Sequence, residues 1–117
     1  MTASLPKEER LSGKTTVARL LSEGRWGHCG HIRYCILKRD GDAPNRILVT
    51  VPKKIFKRAV RRNLLKRRMR EAYRTQKYLL PPKGTDIMFA YSSESIATYD
   101  ELREDIAGIL RKNSNED

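Results

Sequence analysis

The sequence predicts an α+β fold in which helices pack on a small mixed sheet, in the order α-β-β-α-β-α. Apolar residues recur at helical spacing in residues 14–23 and 57–78 and again beyond Thr98. β-Branched and aromatic residues concentrate instead in residues 31–38, 46–51 and 87–91. Turn formers or prolines separate these runs, so each change of period falls at a break in the chain.

Residues 1–11 read as a tail, with Glu8 and Glu9 beside Lys7 and Arg10. Ser12 is placed to cap a helix over 14–23, in which Val17, Leu20 and Leu21 share one face, and Gly24 then supplies a left-handed stop. Residues 31–38 and 46–51 read as strands. RDGDAPN between them, with Asp40 and Asp42 in the turn, predicts an antiparallel hairpin. A helix over 57–78 ends at Pro81-Pro82, and Gly84 and Asp86 lead into a strand over 87–91. Thr98-x-x-Glu101 is a capping box for a last helix with Leu102, Ile106, Ile109 and Leu110 on one face. Its acids Asp100, Glu101, Glu104 and Asp105 fall in the first turns, where the helix dipole favours them. The order strand, helix, strand also permits one parallel β-α-β crossover. Residues 113–117 read as a second tail, and residues 1–117 as a single domain.

Composition points to a polyanionic partner. The net charge is +11 with a pI near 10.1, and clustered Lys/Arg in a domain of pI above about 9 is the electrostatic footprint of a nucleic-acid binder. The charged fraction of 33% exceeds the usual ~25%. An anionic membrane would want Trp, Phe or Leu opposite the cations on a free amphipathic helix, and Trp26 lies far from the basic segment. No apolar run approaches the ~18 residues of a membrane span. The opening MTASLPKEERL lacks a signal-peptide pattern, so a cytoplasmic location is expected. Cys29 and Cys35 are too few for a disulfide scaffold and are expected as free thiols.

The charge is concentrated in residues 53–74, KKIFKRAVRRNLLKRRMREAYR, where eleven Lys or Arg side chains accompany one acid, Glu71. At 100° per residue, Asn63, Lys66, Arg67, Arg70 and Arg74 fall within an arc roughly 100° wide. Leu65, Met69, Ala72 and Tyr73 occupy another side, suited to a core. Like charges at i,i+4, as in Arg62–Lys66 and Lys66–Arg70, cost a few tenths of a kcal/mol each. A bound polyanion would offset that repulsion; a merely solvated face would not. Arg outnumbers Lys, which suits bidentate phosphate contacts and stacking on bases. No helix-turn-helix precedes the segment, and Asn63 stands alone among long cations. That favours structured RNA, read by shape and phosphate, over a DNA groove.

These residues resemble the protein-subunit family of bacterial ribonuclease P. The resemblance rests on Val51-Pro-Lys53-Lys54, Ala59-Val60, Arg62-Asn63-Leu64, Lys66-Arg67 and Arg70-Glu71-Ala72-Tyr73-Arg74, with Arg10-Leu11 before the first helix and Asp86-Ile87 opening the last strand. It implies a two-layer sandwich whose β-α-β crossover is left-handed, against the general rule. It implies an accessory protein, monomeric in a ribonucleoprotein, that binds the catalytic RNA and the five-prime leader of precursor tRNA. Cleavage would be carried by the RNA, with Mg²⁺ held mainly by RNA and none by the protein alone. Matched to the family's motif, Arg62, Asn63, Lys66, Arg67 and Arg70 contact RNA, with Lys53 and Lys54 beside them. Lys57, Arg58, Arg61 and Arg74 extend the same cationic surface.

This chain departs from the pattern in two places. Leu64 stands where the motif has a second Arg, and Arg61 precedes it. Val17 and Leu21 stand where the family often has Phe facing a leader cleft between the first helix and the sheet. Tyr34 is a further candidate for stacking there, or else an edge or core tyrosine.

Two other constellations carry less. His28, Cys29, His31 and Cys35 could ligate zinc, but structural zinc pairs are separated by a longer loop, and ordinary loop and strand roles suit them better. Asp40, Asp42, Ser92, Ser93 and Ser95 have no His or carboxylate partner at a catalytic spacing, so no protein-borne catalysis is expected. The alternative to the ribonuclease P reading is a ribosomal or other structural RNA-binding protein. A stand-alone nuclease or DNA-binding regulator is a further one.

Overall fold

Residues 5–39, 41 and 43–114 are described by the computed structural model. Residues 1–4 and 115–117, and Asp40 and Asp42, which were expected in a turn, lie outside the described residues. The chain forms α1 (Lys14–Glu23), β1 (Arg25–Cys29), β2 (Ile32–Lys38), β3 (Arg46–Thr50), α2 (Ala59–Arg74), β4 (Thr85–Tyr91) and α3 (Tyr99–Ser114). Two short 3-10 turns, Lys7–Glu9 and Lys77–Leu79, complete it.

The hairpin differs from the expected one. β1, which has low β-propensity, precedes β2 and pairs with it antiparallel, Cys29 opposite Ile32. The two-residue loop Gly30-His31 begins with a φ of 56° at Gly30, the positive first-position φ of a II′ turn. β2 and β3 are not neighbours: β4 lies between them, giving the order β1-β2-β4-β3. β4 pairs antiparallel with β2 and parallel with β3, so the sheet is mixed and β3-α2-β4 is the parallel crossover. β2 and β3 are therefore not joined as the expected hairpin.

Strand alternation sends Ile32, Tyr34, Ile36, Ile47, Val49, Ile87 and Phe89 to one face, where Leu65, Met69, Ala72 and Tyr73 of α2 and Leu102, Ile106, Ile109 and Leu110 of α3 cover them. Both helical stripes read from the sequence are buried there. The other face carries Cys35, Leu37, Leu48, Met88 and Ala90, and α1 packs on it through Leu20 and Val17, with Leu11 beside them. That face is half covered, and its uncovered part is where a ligand can lie.

The ends of the helices show what local chemistry decides. At α3 the capping box forms as expected: Thr98 N–H donates to Glu101 Oε1 at 2.9 Å and Glu101 N–H to Thr98 Oγ1 at 3.2 Å. At α1 the residue before the first turn is Gly13, with no side-chain cap, so Ser12 does not serve. Gly24 is extended at φ −75°, not left-handed. Glycine is required there for space: a Cβ would lie 2.4 Å from Leu20 O and 2.6 Å from Cys35 Sγ. Gly24→Ala is expected to cost about 1–3 kcal/mol of overpacking. An unchanged denaturation midpoint would show that α1 can lift off β2.

The basic helix ends at Arg74, well before Pro81-Pro82, and begins at Ala59, two residues inside its expected start. Residues 5–11 are not a tail. Arg10 bridges to Ile47 in parallel, and Leu5 and Leu11 are buried in the two different clusters, so the segment wraps the free edge of β3. Lys77 ties it down through Glu9 at 3.0 Å. Asn113, expected in the C-terminal tail, is buried and donates to Ile109 O at 2.7 Å.

Candidate RNA-binding surface

The segment between β3 and α2 begins with Val51 and Pro52, whose carbonyl accepts the N–H groups of Ile55 and Phe56. This turn leaves Lys53 and Lys54 exposed while Phe56 enters the core. Lys57 and Arg58 are exposed, Arg58 with an extended backbone, and α2 starts without a side-chain cap and without an acid in its first turn. Its unsatisfied N–H groups and the positive end of its dipole thus sit among Lys57, Arg58, Arg61 and Arg62. Such a terminus attracts phosphate.

Arg62 is half-buried and donates through Nη1 to Phe56 O and Lys57 O, both at 2.9 Å. It therefore fixes the approach segment against the helix as well as adding charge. Arg68, outside the expected stripe, is structural: its Nη1 donates to Ala97 O at 2.6 Å. Asn63, Lys66, Arg67 and Arg70, with Val60 and Leu64, line a shallow groove of about 590 Å³ along the outer face of α2. Among the described residues, Lys53, Lys54, Lys57, Arg58, Arg61, Lys66, Arg67 and Arg70 have no ion-pair partner.

Arg74 leaves that set. It forms a two-pronged pair with Glu71 of its own helix, Nε to Oε2 at 3.0 Å and Nη2 to Oε1. The hydrogen bond from Arg74 holds the Glu71 carboxyl below its ordinary value, so the one acid of the block neutralises the last cation of the stripe. Arg61 is exposed but lies outside the groove, at the N-terminal end of the helix.

A second groove, of about 530 Å³, lies between α1 and the half-covered sheet face. Val17 and Leu21 line it with Leu11, Ala18 and Leu48, and Lys14 adds charge. The structure brings the two α1 residues together as expected, but not Tyr34. That side chain is 4% exposed, in the core on the opposite face, beneath α2 and α3. It lies so close to β1 that a Cβ on Gly27 would meet its ring at 2.4 Å. Cys35, one residue on, is the β2 side chain that faces α1.

The His/Cys constellation separates. Cys35 donates to Leu20 O on the α1 side, whereas Cys29 packs against the α3 side. Burial pushes both thiols up, which disfavours the thiolate a metal needs. His31 is held by Asp105, Nδ1 to Oδ2 at 2.8 Å, and its backbone N–H donates to the same oxygen. His28 Nε2 meets Ser92 Oγ at 3.1 Å, a pair that residue spacing did not reveal. The Ser92 hydroxyl is also within reach of His31 O, and among the described residues no carboxylate orients His28, so the contact ties a loop. No group of three or more His, Cys, Asp or Glu side chains among the described residues is arranged to hold a metal ion. No described helix is long and apolar enough to cross a membrane.

A family model described as Ribonuclease P matches residues 5–114. The chain belongs to the ribonuclease P family. It is 43% identical over 84 residues to the Ribonuclease P protein component of Chlorobaculum tepidum, covering 68% of this chain and 54% of that relative. Against the component of Porphyromonas gingivalis it is 40% identical over 81 residues, 68% of this chain and 59% of the relative. The chain thus spans little more than half the length of these two relatives. The Dictyoglomus turgidum component matches at 33% identity over 115 residues, 92% of this chain and 95% of the relative. Among solved structures, the RNase P protein of Thermotoga maritima superposes with a TM-score of 0.77 at 26% identity, covering 89% of this chain and 96% of that one. The Staphylococcus aureus RNase P protein, at 19% identity, shares the fold with a TM-score of 0.77 over 92% of this chain and 98% of its own.

Within the ribonuclease P family pattern, the departure at Leu64 is now located. Leu64 lies half-buried in the α2 groove beside Val60, which is 79% exposed. The groove is therefore a cationic row with an apolar flank.

Proposed function

We propose that this protein is the accessory subunit of a ribonuclease P, docking the catalytic RNA on the α2 face and holding the five-prime leader of precursor tRNA in the α1 groove. The observation that carries this reading is the row Asn63, Lys66, Arg67 and Arg70, without acidic partners among the described residues, in a chain of the ribonuclease P family. Lys53, Lys54, Lys57, Arg58 and Arg61 continue the row around the open N-terminus of α2. RNA packed against a second RNA suffers phosphate repulsion. Cations fixed on a folded surface at that junction relieve it without the entropic cost of immobilising free ions.

In this reading the phosphodiester cleavage that matures the tRNA five-prime end, and the Mg²⁺ it uses, belong to the RNA. The buried carboxylate Asp86 is committed to Arg39 and Arg46, and the half-buried Asp105 to His31; the protein's part in this reading is binding and charge screening. It would work in the cytoplasm as a single copy in the ribonucleoprotein. A ribosomal role would need the same phosphate contacts but no leader groove.

The complex reconstituted with its cognate RNA should bind precursor tRNA with a leader more tightly than tRNA without one; equal affinities contradict the groove assignment. Val17→Phe puts a ring in the groove, and base–aromatic stacking contributes about 1–3 kcal/mol per base. It should tighten binding of the leader-bearing substrate alone, read as a lower dissociation constant. An unchanged value would take Val17 out of the cleft.

A further inference from the structure

We infer that Trp26 and Arg33 form a base-stacking platform for a single-stranded nucleotide, at the β1 end of the sheet face that α1 crosses. The inference rests on the leader-binding reading above and names side chains which that reading does not use.

Trp26 is the only tryptophan in the chain and is 43% exposed. Its cross-strand partner is Cys35, and Arg33 is opposite Ala90. Cys35 and Ala90 both belong to the cluster beneath α1, and paired residues point to the same face of a sheet, so Trp26 and Arg33 project on that face too. Among the described strands, Trp26 is the one Phe, Tyr or Trp side chain there; Tyr34, Phe89 and Tyr91 are buried on the other. The Arg33 guanidinium sits 4.4 Å from the indole centroid.

That geometry fixes the ring by a cation–π contact while much of it stays open to solvent. It also places a phosphate-binding guanidinium one stacking distance from an aromatic surface. A ring to stack on, with a cation to follow the backbone, is the combination that grips single-stranded nucleic acid. No aromatic side chain is among the residues that line the α1 groove. In this chain the aromatic contact to the leader therefore comes from β1.

The unique tryptophan reports on its own site. In the complex reconstituted with the cognate RNA, Trp26 fluorescence should be quenched by precursor tRNA with a leader and not by leaderless tRNA. Trp26→Leu keeps apolar bulk but no ring, and should weaken the leader-bearing substrate about 10-fold while leaving the leaderless one unchanged. Trp26→Phe should retain most of the affinity. If the wild type distinguishes the two substrates but shows no quenching and Trp26→Leu has no effect, the platform is wrong and the groove reading stands. If Trp26→Leu weakens both substrates equally, or lowers the melting temperature, the pair is a structural clasp on the hairpin and the inference falls. If the wild type binds both substrates equally, the leader reading and the platform fall together.

Discussion

Asp86→Ala is expected to remove about 3–5 kcal/mol of folding stability, a large share of the roughly 5–15 kcal/mol that a domain typically has. Asp86 is the second residue of β4, its side chain 4% exposed, and its two oxygens hold two guanidiniums. Arg39 Nε donates to Oδ1 at 2.9 Å, and Arg46 donates to both oxygens at 2.9 and 2.8 Å. Arg39 follows β2 and Arg46 opens β3, so one carboxylate ties together three neighbouring strands at one end of the sheet. Truncation leaves Arg39, whose side chain is only 10% exposed, charged and without a counter-ion among the described residues, its Nε unpaired and only the carbonyls of Ala43 and Pro44 as acceptors.

Burial alone would push the Asp86 carboxyl up; the hydrogen bonds from Arg46 and Arg39 outweigh it, and the net shift is downward. A lowered folded value means stability that is fully present above the ordinary carboxylate pKa of about 3.9 and is lost as pH falls through the lower folded value. Urea unfolding at neutral pH tests the substitution. An Asp86→Ala midpoint equal to wild type would show that the two arginines find water or other acceptors, and that the cluster does not hold the sheet.

Replacing Lys66, Arg67 and Arg70 together by Ala is expected to weaken binding to the cognate RNA on the order of 100-fold at moderate salt. Each neutralised phosphate contributes about 0.7–0.9 to the slope of log K against log salt, so the slope should fall by about 2–3. Folding should hold or improve slightly, because the Lys66–Arg70 repulsion at i,i+4 is removed. Arg74 serves as the internal control. It is already paired with Glu71, so Arg74→Ala should change the slope far less. A triple variant with an unchanged slope would mean that RNA docks elsewhere, the turn at Lys53 and Lys54 being the next surface to test.

What could be read without coordinates was local. The α3 capping box and the apolar stripes of α2 and α3 follow from spacing along one element, and all are present as spaced. The cationic row was legible for the same reason, except at Arg74, where an acid three residues earlier competes for the guanidinium. The strand order was not legible, because pairing β4 between β2 and β3 is decided by which faces α2 and α3 must bury. β1 carries Arg, Gly and His in place of a β-rich run, and exists because Gly30 permits the turn that lays it on β2.

Tyr34 shows how sharp that limit is. Side chains alternate along a strand, so a one-residue shift of register exchanges the faces. Pairing Tyr34 with Phe89 of β4 sends its ring into the core and leaves Cys35 facing α1. The N-terminal segment was missed because Leu5 and Leu11 are isolated apolar residues in a charged stretch, a pattern indistinguishable from a tail until the open edge of β3 is known.

The central claim is that the α2 surface lets catalytic RNA and precursor tRNA meet with less help from divalent ions. Cleavage of precursor tRNA by the cognate RNA, followed at low Mg²⁺ with and without this protein, tests it most directly. A marked rise in cleavage on adding the protein, fading as Mg²⁺ is raised and absent for the protein alone, is the predicted result. The same rate with and without the protein across the Mg²⁺ range would contradict the account.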